Sequence, residues 1–109
     1  MEIREIATAG EKQRIARLVL EALPDWFGIP EAREEYIEKS AAQPFFAAFD
    51  GERAIGFLCL TETGKDTAEL YVMGVLKEYH RRGVGKMLFA AAKQRAKELG
   101  YSVLQVKTV

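Results

Sequence analysis

V-L-K-E-Y-H-R-R-G-V-G-K-M-L, Val75 to Leu88, is the stretch on which the fold turns. Just before it, A-E-L-Y-V-M-G-V-L, Ala68 to Leu76, is rich in residues that suit a central strand. From Gly83 onward Val84, Leu88, Ala91, Ala92 and Leu99 recur at helical spacing. The stretch is therefore a strand end, a glycine-containing loop and a helix start. Such a junction gathers backbone N–H groups at the positive end of a helix dipole, which suits an anion. Gly83 and Gly85 lack side chains, so a phosphate can approach the backbone closely. Arg81, Arg82 and Lys86 add charge that a diphosphate could pair with. Taken alone, the same residues fit equally well a sharp helix entry with three cations in water.

Working outward, Gly100 follows the helix as a left-handed cap. S-V-L-Q-V-K-T-V, Ser102 to Val109, then sets Val103, Leu104 and Val106 against Gln105 and Lys107 as a final strand. In the other direction F-F-A-A-F-D, a turn at Gly51 and R-A-I-G-F-L-C-L-T-E-T form an antiparallel hairpin, joined to the Ala68 strand by the polar turn G-K-D. Gly74 inside that strand points to a bulge or a close backbone approach. Nearer the N-terminus, Ile15, Leu18, Val19 and Ala22 give a first helix one apolar face, and Thr8 with Glu11 has capping-box spacing at its start. Pro30 suits the first position of a second, charged and surface-leaning helix that stops before Pro44. With a loosely alternating strand over Met1 to Ile6, the order is β, α, α, β, β, β, α, β, an α+β chain.

Composition narrows the function classes. A chain of 109 residues fits a single domain, residues 1–109, with a core large enough to fold without disulfides or metal. Sixteen Lys plus Arg balance sixteen Asp plus Glu, so no overall basic field argues for nucleic acid or an anionic membrane, and any anion site must be local. Cys59 is the only cysteine and His80 the only histidine, which leaves no zinc-type cluster and makes metal-independent chemistry the default. The charged N-terminus has no signal-peptide core and no run of about 18 apolar residues occurs, so the expectation is a soluble, cytoplasmic protein. Two phosphate signatures fail. The P-loop needs a glycine where His80 stands and Ser or Thr where Met87 stands, and the dinucleotide fingerprint needs a glycine at Leu88.

Val75 to Leu88 resembles motif A of the GNAT superfamily of acyl-CoA-dependent N-acyltransferases, V-x-P-x-x-[QR]-x-x-G-x-[GA]. Lys77 replaces the frequent proline and His80 the Gln or Arg, which leaves the backbone amides of the loop unaffected. The element order is also similar to that family's. The resemblance implies a mixed, mostly antiparallel sheet flanked by helices, acetyl-CoA as co-substrate and no metal. It implies that amides of Arg81, Arg82, Gly83, Val84, Gly85 and Lys86 bind the coenzyme A pyrophosphate. The backbone of Met73, Gly74 and Val75 would pair with the pantetheine arm like an added strand, with Gly74 at a bulge that splays the strand from the last one. The Val75 amide would serve the oxyanion.

Glu69 stands where some members carry a general base, and equally fits a surface carboxylate. His80 fits a loop contact better than a base. Trp26 and Phe27 fall where the family often lines its acceptor pocket, or they form a satellite hydrophobic cluster. Tyr71 and Tyr79 fit packing. The implied activity is N-acetylation of a primary amine of a small molecule or peptide. The alternatives are a non-catalytic acyl-CoA-binding module or a self-associating fragment. The family domain usually continues past this last strand, so Ser102 to Val109 is expected to be an edge open to pairing with a second copy.

Overall fold

A computed structural model of the chain describes residues 1–106. The elements are β1 (Glu2–Glu5), α1 (Ala9–Glu21), α2 (Pro30–Ser40), β2 (Phe45–Asp50), β3 (Arg53–Gly64), β4 (Thr67–Val75), a 3-10 turn (Lys77–Tyr79), α3 (Val84–Glu98) and β5 (Val103–Gln105). One five-stranded sheet has the order β1-β2-β3-β4-β5. The first four strands are antiparallel to their neighbours and β5 runs parallel to β4. The order read from the sequence and the mixed α+β class are thus those of the structure.

β2 and the middle of β3 are buried at consecutive positions, Phe45 to Phe49 and Ala54 to Leu60. Such continuous burial requires cover on both faces of the sheet. α1 supplies one cover and α3 the other: a Cβ on Gly74 would meet Val19 and Leu23, whereas its neighbour Met73 faces Gly85. Between the layers Phe45 and Phe57 stack with centroids 5.1 Å apart.

Three expectations need correction. The buried face of α1 is Ile15, Ala16, Val19 and Leu20, continued by Leu23, while Leu18 is 44% exposed and Ala22 is exposed. α1 packs on the sheet and against α2 at once, so its buried arc is rotated from the one a single contact would select. Only half of the capping box forms: the Thr8 hydroxyl accepts from the Glu11 N–H at 3.4 Å, and the Glu11 carboxylate turns to Arg14. The bulge in β4 is not at Gly74. Val72 pairs with Cys59 and Leu70 with Leu60, so the extra residue is Tyr71, and Gly74 sits in regular register opposite Phe57. A Cβ on Gly74 would stand 3.0 Å from Val19 Cγ1 and 3.3 Å from Leu23 Cδ1, so this glycine lets α1 approach the sheet.

α3 buries Val84, Leu88, Ala92 and Ala96, and Leu99 is 45% exposed at its end. Gly100 at φ +92 closes it, with the Gly100 and Tyr101 N–H groups bonding back to Lys97 O and Ala96 O in a Schellman cap. β5 pairs Val103 to Gln105 with Thr67 to Glu69. The expected continuation of this strand through Lys107 to Val109 lies outside the described residues. Among the described residues β4 therefore has an open outer edge from Leu70 to Val75.

Candidate functional site

The end of β4 decides which backbone groups are on offer. Leu76 N donates to Ile55 O at 2.8 Å, so this residue and, two before it, Gly74 point their polar groups at β3. Met73 and Val75 then turn theirs to the open edge. One of these is occupied: the Val75 carbonyl accepts from His80 Nε2 at 2.7 Å, which fixes that ring nitrogen as the one bearing hydrogen. The His80 ring in turn meets Trp26 edge-to-face, centroids 5.5 Å apart. His80 is thus a loop contact that ties the strand end to the α1–α2 segment.

The turn after β4 is anchored from the other side of the sheet. The Tyr79 hydroxyl donates to Asp50 Oδ2 at 2.5 Å, and Asp50 raises the tyrosine pKa above its ordinary value by accepting that proton. Arg82 lies over the Tyr79 ring, 5.2 Å from its centroid, and Arg53 reaches Glu78 at 3.3 Å. The chain then reverses through Arg81 at φ 65 and Gly83 at φ 77. A positive φ is natural at glycine and costly at arginine, a strain typical of ligand loops. α3 starts at Val84, and its first intrahelical bond runs from Met87 N to Gly83 O. The amides of Val84, Gly85 and Lys86 precede that bond and have no place in the helix ladder. No acidic residue stands in this first turn.

Gly85 shows what the loop is shaped for. Its Cβ would find only the end of the Met73 side chain, Cε at 3.8 Å and Sδ at 4.0 Å, both ordinary contacts, and its φ is not in the left-handed region. Nothing inside the protein therefore requires glycine, although glycine in a helix costs about 0.8–1 kcal/mol relative to alanine. The open volume lies in front of the free amides, as a cradle for a phosphate would need.

A cavity of about 320 Å³ joins these parts. It is lined by Leu23, Trp26 and Phe27 on one side, Met73, Gly74 and Val75 at its floor, and Tyr79, His80, Arg81, Gly83, Val84 and Gly85 on the other. Nine of the residues singled out in the sequence thus come together: Trp26, Phe27, Met73, Gly74, Val75, Arg81, Gly83, Val84 and Gly85. Arg82 is held on Tyr79 beside it. Lys86 lines a separate depression on the α3 side with Leu70, Met73 and Phe89.

Glu69 is outside the cavity lining. It is 8% exposed and occupies the last β4 position paired with β5, opposite Gln105. Leu70 faces the α3 side, so Glu69 beside it points to the face covered by α1 and α2. The six residues of strand to Val75 include the bulged Tyr71 and oppose only five on β3, which puts Val75 about 17 Å away. Glu69 marks the closed end of the open edge, and the glycine loop marks the other. Tyr71 packs on Tyr36 at 5.3 Å, and Tyr36 on Phe27 at 6.1 Å, which links the two ends by an aromatic row. Leu23, Asp50 and the tether it forms with Tyr79 escaped the sequence analysis, since residues 29 apart in the chain give no local signal. Among the described residues no cluster of His, Cys, Asp and Glu could hold a metal ion, and no helix is long and apolar enough to cross a membrane.

The sequence pattern of the Acetyltransferase (GNAT) family matches residues 12–109. The chain belongs to this family. The curated "Uncharacterized N-acetyltransferase YvbK" of Bacillus subtilis strain 168 is 28% identical to this GNAT chain over 75 residues, which is 69% of the chain and 46% of YvbK. The chain thus spans less than half the length of that relative. Among solved structures, an IAA acetyltransferase from Bacillus cereus superposes with a TM-score of 0.75 at 25% identity, over 98% of the chain and 65% of that protein. AAC(6')-Iy, in complex with the bisubstrate analog CoA-S-monomethyl-acetylneamine, superposes at 0.76 and 22% identity, over 99% and 79%. This last likeness is one of fold.

Proposed function

We propose that this GNAT chain binds acetyl-CoA and serves transfer of its acetyl group to the primary amine of a small molecule or a peptide. The observation that carries the proposal is the space in front of Gly85 and the free first-turn amides of α3, which suit a diphosphate and serve no internal purpose. Family membership and the relatives' acetyltransferase names support it.

The roles follow from position. Amides of the Arg81 to Lys86 segment hold the pyrophosphate, with Arg81, Arg82 and Lys86 adding charge. The pantetheine arm lies along the open edge of β4 at Met73 to Val75 as an added strand, which carries the thioester from the loop toward Glu69. The acceptor enters over Trp26 and Phe27. Its neutral nitrogen attacks the thioester carbonyl carbon, and an edge amide on the Glu69 side of Val75, such as that of Met73, donates to the developing oxyanion. Collapse breaks the C–S bond, leaving an amide and a thiolate that takes up a proton from solvent. The proton shed by the amine passes through water to Glu69.

Calorimetry should show acetyl-CoA binding, and a thiol-release assay should show turnover across a panel of amines. Glu69→Gln should lower kcat by about 10²-fold or more with the acetyl-CoA KM unchanged. Absence of coenzyme A binding would sink the proposal. Binding without turnover for any amine would leave an acyl-CoA-binding module in its place.

A further inference from the structure

Given the coenzyme A binding proposed above, a diphosphate brings two negative charges to the glycine loop. Among the described residues, Arg81 is the one permanently charged group in the cavity lining. Arg82 is drawn over the Tyr79 ring, 5.2 Å from its centroid, and Lys86 lines the separate depression on the α3 side. The other ionisable side chains of the lining are Tyr79, whose hydroxyl is given to Asp50, and His80. Imidazole ordinarily changes its charge between about pH 5 and 8, so His80 can supply a second cation where Arg81 alone leaves the diphosphate half compensated. Its place is fixed. Nε2 donates to the Val75 carbonyl at 2.7 Å, and the ring meets Trp26 edge-to-face at 5.5 Å. Because the Val75 bond keeps a hydrogen on Nε2, an incoming proton goes to Nδ1, and neither contact has to break. The ring is exposed, so solvent can deliver that proton.

The charged neighbours set the sign. In the turn before His80, Glu78 favours a charged imidazole, while Arg53 holds that carboxylate at 3.3 Å and Lys77 is exposed. In the loop after it, Arg81 and Arg82 oppose a further positive charge. From the α1–α2 segment the ring meets Trp26, with Asp25 exposed beside it in sequence, and β4 offers the Val75 carbonyl. From α3 come the positive end of the helix and Lys86. A diphosphate in front of the first-turn amides compensates Arg81 and the helix end together. It also places negative charge in a space of about 320 Å³ that His80 lines, close enough for the imidazole to feel it.

We infer that His80 is a binding residue of the coenzyme A site, taking a proton from solvent onto Nδ1 as the diphosphate arrives and facing it as an imidazolium. Affinity therefore rises as pH falls through the imidazole range, and the gain is lost above about pH 8. The probe is acetyl 3′-dephospho-coenzyme A. Its sulfur is esterified, and it lacks the phosphate monoester whose second ionisation at about pH 6 would obscure the result. Calorimetry at pH 6.5 in two buffers of different ionisation heat should show net proton uptake on binding. The Kd should tighten about three- to tenfold from pH 8 to pH 6. His80→Gln keeps an N–H for the Val75 carbonyl and cannot titrate, so its uptake should vanish and its Kd should stay level over that range. His80 is the sole histidine, so its ring C–H resonance follows its own charge, and the midpoint of that titration should rise when the probe is bound. Proton release, absence of uptake, or equal uptake in His80→Gln overturns the inference, as does a midpoint that does not move. A protein that binds the probe at no pH fells the coenzyme A proposal itself, and this inference with it.

Discussion

Gly74 and Gly85 are eleven positions apart and owe their lack of a side chain to opposite causes. Gly74 is crowded from within: an added methyl would lie 3.0 Å from Val19 Cγ1 and 3.3 Å from Leu23 Cδ1, so α1 would have to shift. Overpacking of this kind costs about 1–3 kcal/mol. Gly85 is open: its methyl would make ordinary contact with Met73 and would otherwise project into the loop's free space. Gly85→Ala should therefore keep or raise the melting temperature, by up to about 8 °C. It should also weaken acetyl-CoA binding about tenfold, since the methyl stands where a phosphate would approach. Gly74→Ala should lower the melting temperature by at least about 4 °C. Differential scanning fluorimetry and calorimetry on the two variants separate these effects. A Gly85→Ala protein that melts early and binds normally would contradict the cradle.

At the scale of elements, the glycine loop is a short turn hung between β4 and α3 and pinned to the β2–β3 hairpin through Tyr79 and Asp50. Asp50 is exposed and Tyr79 only partly buried, so the bond contributes little to global stability. Its effect is on where Arg81, Arg82 and the first-turn amides stand. Asp50→Ala and Tyr79→Phe should each raise the acetyl-CoA KM several-fold with kcat held and the melting temperature moved by less than about 4 °C. Asp50→Asn keeps an oxygen that can accept from the phenol and should behave as wild type. Equal losses in Asp50→Asn and Asp50→Ala would show that charge, not the tether, matters. This contact also marks where sequence reasoning runs out. Element order was legible because periodicity and punctuation are local: Pro30, the Gly51 and G-K-D turns and Gly100 each fix a boundary by backbone chemistry alone. The loop itself was legible for the same reason. Which side of α1 faces inward was not, because a helix pressed by a sheet and by α2 obeys two contacts that no single periodic template encodes. Gly74 gave a true signal of close approach, but the bulge belongs to Tyr71, whose extra position shows only in the pairing with Cys59 and Leu60.

For the molecule as a whole, a sheet covered on both faces leaves its centre dry, and Cys59 on β3 lies there with no exposed surface. Its thiol donates to Gln43 Oε1 at 2.8 Å. Burial pushes its pKa up from 9.0 to about 12, since the thiolate would have to form without water. The folded state therefore holds the proton more tightly than the unfolded chain. Stability from this source is complete below pH 9, where both states are protonated, and declines as pH rises toward 12, at up to about 1.4 kcal/mol per pH unit. Lysines and tyrosines titrate in the same range, so the informative quantity is a difference between proteins. Cys59→Ala should cost about 1–3 kcal/mol at pH 7.5 through the lost packing and hydrogen bond. That deficit should shrink steadily between pH 9 and 10.5 in urea unfolding, as the wild-type chain alone acquires the cost of keeping a thiol protonated. Parallel pH profiles for the two proteins would mean that water reaches β3, and that the two covering layers do not seal the centre of the sheet.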